Sequence, residues 1–319
     1  NQGRDDCAGE GSGGAVAANV AGGVTVSDTD TVVVGTVGAT NGIATSAAGA
    51  GAVSVTGATG VTIGQNITTS DSGVSVTATA NDITLSGDVT LGTDTAAGNV
   101  TLSGPVEATG AGVQALTINA GTGTVTVDGL GATTPLEFLT VTTSNTVTLN
   151  GTVQSSDAGG GTGSIDLSGA TGGIVLGTDL SLNALDPGAD GGGTYAIDLS
   201  GSAITNATSR TITVESQGGT VTLPAGGTGT VGTPLADLTV TANDVAVGGD
   251  VYIDPTAGIL RFYTSGGGRT IRLGAGGPDQ FTLDVTEIGR IRRADRIIIG
   301  DPATQAADIT ADSADFSNS

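Results

Sequence analysis

The chain has 319 residues, with 31 acids against nine Arg for a formal net charge of −22, and it lacks His, Lys, Met and Trp. Without imidazole there is no Ser-His-Asp or Cys-His centre and no His metal site, and without Lys there is no Schiff base or Lys–Asn cross-link. The acidity argues against nucleic acid and anionic membranes as partners, because phosphate binding needs clustered positive charge, and it suits a secreted protein with a solvated surface.

The chain contains 57 Gly and only 2% aromatic residues. It has few large side chains for a conventional core, but many Val, Ile, Leu and Thr that suit a thin pleated surface. The single Cys7 cannot close an internal disulfide. No apolar run is long enough for a membrane-spanning helix, so membrane insertion is not expected. A start at Asn1 rather than Met suggests a processed product or a piece of something longer.

Residues 1–20 are rich in Gly, Ala and Asp and show no strand period, so they read as a tail or linker. The first strong β signal is Val24–Val37, which includes the run Val32-Val33-Val34. From Val53 onward, triplets with apolar residues at i and i+2 become regular. Examples are Val53-Ser54-Val55, Val61-Thr62-Ile63, Val74-Ser75-Val76, Ile83-Thr84-Leu85 and Val100-Thr101-Leu102. Period 2 turns the apolar pair one way and the middle Ser or Thr the other. Gly, Asn and Asp fill the corners between triplets, where the chain must turn.

Two longer echoes reveal the module. Thr79–Val89 returns almost position for position as Thr241–Val251, each copy being two short strands joined by a Gly-Asp corner. Thr134-Pro135-Leu136 leads into Leu139-Thr140-Val141, and Thr233-Pro234-Leu235 into Leu238-Thr239-Val240. Such a strand cannot form a core alone, so copies must stack. No helical stripe of useful length occurs. The predicted fold is all-β, a parallel β-solenoid with almost no α-helix. Coils of about 20–25 residues give about 13–16 turns and a rod on the order of 60–75 Å long. Variable loops are expected at Ser155–Ser164 and Asp186–Thr194. The expected division is a tail at 1–20, a solenoid body at 21–258 and an Arg-rich end or cap at 259–319.

That last part holds seven of the nine Arg: Arg261, Arg269, Arg272, Arg290, Arg292, Arg293 and Arg296. Within it, Thr270-Ile271-Arg272-Leu273-Gly274, Phe281-Thr282-Leu283, Glu287-Ile288-Gly289-Arg290-Ile291 and Ala294–Asp301 resemble a segment common in filamentous-haemagglutinin-like bacterial exoproteins. The Thr-Pro-Leu modules are similar to repeats of the same surface proteins. The resemblance implies a right-handed parallel β-helix, export across an outer membrane, and a role in adhesion or biofilm.

Three kinds of chemistry bear on function. Some β-helices cleave polysaccharides with paired carboxylates, but this body offers only Phe138, Tyr195 and Tyr252 as sugar platforms, so no enzyme is expected. Calcium is the ion that Asp and Asn would suit, with corner residues Asp82, Asp88, Asp244 and Asp250 as weak candidates; turn capping is the plainer role for them. Thr pairs at Thr124/Thr126, Thr146/Thr148, Thr211/Thr213 and Thr220/Thr222 resemble the ladders of ice-binding solenoids, and equally reflect the β-propensity of Thr. For the Arg cluster there are three readings: a solvated surface, pairing with Asp279, Asp284, Glu287 and Asp295, or docking onto the acidic body of another copy. The last would build a head-to-tail homopolymer, with Val32, Val33 and Val34 available to extend a neighbour's sheet. The leading expectation is a secreted subunit or segment of an extracellular filament, adhesin or surface layer. Alternatives are an adhesin stalk that carries its binding tip elsewhere to meet a host or neighbouring-cell surface, and a polysaccharide- or ice-binding solenoid.

Overall fold

A computed structural model describes the chain except for residues 1–13, 159–161, 187–194, 207, 267–268, 275–280, 302–308 and 312–319. Cys7, Asp279, the acids beyond Asp301 and the centres of both expected long loops lie outside the described residues. The rest is a parallel β-solenoid of about 9 turns. The one α-helix among the described residues is the single turn Val285–Ile288.

The chain visits three parallel sheets in rotation, here called A, B and C. The first full round is Val24–Asp28 in A, Thr31–Val34 in B and Ile43–Thr45 in C. Val53–Gly57 then begins the next round directly above Val24–Asp28. The alternating triplets explain this arrangement. Each inward apolar residue lands on its counterpart one turn away, while the intervening Ser or Thr faces out.

Sheet B shows the resulting interior column without a gap: Val32, Val61, Ile83, Val106, Leu130 and Val153, then Leu182, Val214, Val240, Phe262 and Ile299. Sheet A stacks Val24, Val53, Val74, Val100, Val125 and Val147 in the same way. Nearly all of these side chains are fully buried. Branched aliphatics fill most of the space between the sheets, and Tyr195, Phe262 and Phe281 are the aromatic side chains fully buried among the described residues.

Up to Val251, register partners in sheet A lie between 21 residues apart (Val53 to Val74) and 30 (Ile174 to Ile204). The expected 13–16 turns are therefore too many. Most turns carry three strands plus loops, and the chain after Thr264 departs from the regular round. About 9 turns at roughly 4.8 Å make a body of about 43 Å. Within the segment read as a tail at 1–20, residues 15–20 need correction. Ala15–Val16 pairs with Val33–Val34, and Ala18–Val20 pairs with Ile43–Thr45. Their small residues hide the strand period.

Two irregularities interrupt the body. Thr36–Val37 and Thr40–Asn41 form an antiparallel hairpin around Gly38, whose φ of 61° only Gly adopts freely. Phe138–Leu149 is one continuous strand that begins in sheet C and ends in sheet A, with a register shift between Ser144 and Thr146. Near the C-terminal end, Ile271–Gly274 and Phe281–Asp284 pair with each other as an excursion from the round. The chain then re-enters through Ile291–Arg293 on sheet A and Arg296–Ile299 on sheet B.

Candidate functional site

Corner side chains tie each turn to the next. Asn66 Oδ1 accepts the Thr90 amide at 2.8 Å, Asn99 Oδ1 accepts that of Thr124 at 2.9 Å, and Asp179 Oδ1 accepts that of Thr211 at 3.0 Å. The calcium candidates belong to this set. Asp88 Oδ1 accepts from the Ala115 amide at 3.2 Å and Asp244 Oδ1 from the Thr282 amide at 2.9 Å. Asp250 takes Arg292 at 2.9 Å and the Tyr252 hydroxyl at 3.3 Å, while Asp82 is exposed. Among the described residues, no group of three or more Cys, Asp or Glu side chains gathers to hold an ion. Asp88, Asp244 and Asp250 act as staples to later segments of the chain.

Sequence reasoning did not single out the interior polar groups. Glu107 is only 5% exposed, and its carboxylate accepts the Thr133 and Thr134 amides, the latter at 2.6 Å. Glu137 has its pKa raised by desolvation and by nearby Asp88 and Asp157. Thr45, Thr69 and Thr93 lie inside the corner from C to A, where their hydroxyls donate to the carbonyls of Gly51, Ser72 and Gly98. Each of these Thr stands two positions after an inward aliphatic (Ile43, Ile67 and Leu91), and a hydroxyl in that place breaks the apolar pattern that marks an inward position in the sequence.

The Arg cluster divides. Arg261 meets Asp237 at 3.5 Å and Arg292 meets Asp250, so both pair with acids of the body instead of Asp284, Glu287 or Asp295. Arg290 donates to the Val247 carbonyl and Arg269 to that of Asn243 at 3.4 Å. Arg272 is partly buried on Ile271–Gly274. Arg293 acts on Asp254, whose pKa is lowered chiefly by hydrogen bonds from Thr256 and, more weakly, by that guanidinium. Arg296 is exposed at the start of the last strand of sheet B.

Among the described residues, strands at both ends of the stack are bonded on one side only. Among the described residues, Val24–Asp28 pairs only with Val53–Gly57, and Ala15–Val16 only with Val33–Val34. At the other end, Ile291–Arg293 pairs only with Val251–Tyr252, and Arg296–Ile299 only with Ile259–Phe262. The run Val32-Val33-Val34 is not such an edge. Its strand is bonded to Ala15–Val16 on one side and Gly60–Ile63 on the other, and Val32 and Val34 point into the core. It therefore has no edge left to offer a neighbour, and that role falls to Val24–Asp28. The single-turn helix closes part of the C-terminal end through a capping box between Asp284 and Glu287, with Glu287 Oε1 also accepting the Val247 amide at 2.9 Å.

Comparison with protein-family models, with curated proteins and with solved structures finds no match. The fold itself defines the class: a β-solenoid repeat protein.

Proposed function

We propose that the chain is a secreted structural protein, a subunit or segment of an extracellular filament, adhesin or surface layer that joins head to tail with further copies of itself. The observation that carries this reading is the contrast between the two ends. The first strand of sheet A ends in Asp28, with Asp30 just beyond, whereas the last strands of sheets A and B carry Arg293 and Arg296. Open edges accept further strands. A contact between unlike ends does not close on itself and so generates a filament, and opposite charge would fix its polarity. The motif resemblance to filamentous-haemagglutinin-like exoproteins points the same way.

Electron microscopy and light scattering of the purified chain test this. Fibres that grow with concentration and shorten when Arg293→Glu and Arg296→Glu are combined are the expected result. Monomer alone, at high concentration and low salt, would defeat the assembly reading.

A further inference from the structure

The flank of sheet A is hollowed in its last rounds. Thr228, Val251 and Ile291 follow one another in register along the stack. That register sets Gly229 beside Tyr252, in the place that Thr205 holds one turn earlier. Gly229 has a φ of 71°, and a Cβ on Gly226 would meet the Ser202 carbonyl oxygen at 2.2 Å, so both positions are bare of side chains. The result is a cleft of about 750 Å³, open to solvent, into which Asp250, Tyr252, Arg290 and Val231 bring the side chains. Its size falls within the range of small-molecule sites, about 300–1,000 Å³.

The charge left over in the cleft is opposite in sign to that of the chain, which carries −22. Arg292 meets Asp250 at 2.9 Å and neutralises it. Arg290 donates to the Val247 carbonyl but meets no carboxylate among the described residues. It therefore presents an uncompensated guanidinium with N–H groups to spare, the group that grips a carboxylate in two-pronged fashion.

The neighbours of Arg290 narrow the ligand further. The Tyr252 hydroxyl donates to Asp250 Oδ2 at 3.3 Å, and the carboxylate keeps lone pairs for additional donors. A ligand that fits must bring an anionic group to Arg290 and hydroxyl donors to Asp250 at once. Tyr252 and Val231, the latter 62% exposed, add apolar surface suited to the C–H face of a sugar ring. A uronic acid has all three parts. Inorganic phosphate lacks the apolar face, and an acidic peptide lacks hydroxyls beside its carboxylates.

We propose that this cleft binds an acidic saccharide, with a uronate carboxylate on Arg290, ring hydroxyls on Asp250 and the ring face against Tyr252. The cleft lies on the flank of the stack, so binding does not depend on end-to-end joining. Isothermal titration calorimetry with trimers of galacturonate, mannuronate and guluronate tests this, with maltotriose, triglutamate and inorganic phosphate alongside. At least one uronate trimer should bind, and maltotriose should bind about tenfold more weakly or less, as expected for loss of one charged hydrogen bond. Arg290→Met and Tyr252→Leu should each weaken uronate binding by about the same factor. Val231→Asp, at an exposed position, should weaken it without lowering the melting temperature, while Arg261→Met on sheet B should leave it unchanged. Absence of binding to every uronate trimer would overturn the proposal. So would unchanged affinity in Val231→Asp and Arg290→Met, or triglutamate or phosphate binding as tightly as the best uronate.

Discussion

Asp237 Oδ1 accepts the amide of Ile259 at 2.6 Å, one turn further along the solenoid, while its other oxygen faces Arg261 at 3.5 Å. One corner carboxylate thus fastens both the backbone and a side chain of the next round. Asp237→Ala should cost about 1–2 kcal/mol in urea denaturation, most of it from the charged hydrogen bond. Asp237→Asn keeps an acceptor and loses only the partly exposed ion pair, so it should cost about 0.5 kcal/mol or less. Equal losses in the two variants would show that the ion pair matters more than the staple.

Thr228 occupies an inward position of sheet A between Ile204 and Val251, and is 1% exposed. Among the described residues its hydroxyl has no hydrogen-bond partner. Burial of an unpaired hydroxyl is unfavourable, and Val has nearly the same shape. Thr228→Val should therefore raise stability by about 1–2 kcal/mol, read as a higher denaturation midpoint.

Asp94 is exposed and has a φ of 65°, a left-handed conformation that side chains resist. Asp94→Gly should gain up to about 1 kcal/mol in thermal denaturation. Asp71 shares the conformation, with φ of 54°, but its Oδ1 accepts the Ala96 amide at 3.0 Å. Asp71→Gly should give no such gain, because relief of the backbone is offset by loss of that bond.

Burial raises the pKa of both Asp244 and Glu287, against opposing hydrogen bonds from the Thr282 and Val247 amides respectively. The folded chain therefore binds these protons more tightly than the unfolded chain. Their contribution to stability is fully present below the ordinary carboxylate value and is lost as pH rises through the raised folded values. Melts of wild type and Glu287→Gln, compared from about pH 4 to 7, should differ in slope. The variant should gain less on acidification. An identical slope would remove Glu287 from the account.

The solenoid and its near absence of helix were legible because triplets such as Val74-Ser75-Val76 recur with polar corners between them. The length of a turn was not, and the two echoes show why. Ile83–Leu85 lies in sheet B and Val89–Gly92 in C, yet their counterparts Val245 and Val251 lie in C and A. The Thr-Pro-Leu echo shifts likewise, with Leu139 in C and Leu238 in B. The sequence unit is a strand–corner–strand piece that fits any of the three walls, because all three face the same aliphatic interior. Ile67–Thr68 was missed because so short a strand shows no alternation. The fate of each Arg was equally hidden, since its partner sits about a turn or more away along the chain, as Asp250 does for Arg292.

Register that depends only on the rounds directly above and below makes the molecule divisible. Excision of residues 74–99 would lower Val100–Ser103 onto Val53–Thr56, Val upon Val and Thr upon Ser, with every later layer carried along unchanged. Such a chain can be lengthened or shortened like a ladder by one step at a time, and its reach is set by how many rounds a gene encodes rather than by any redesign of the interior.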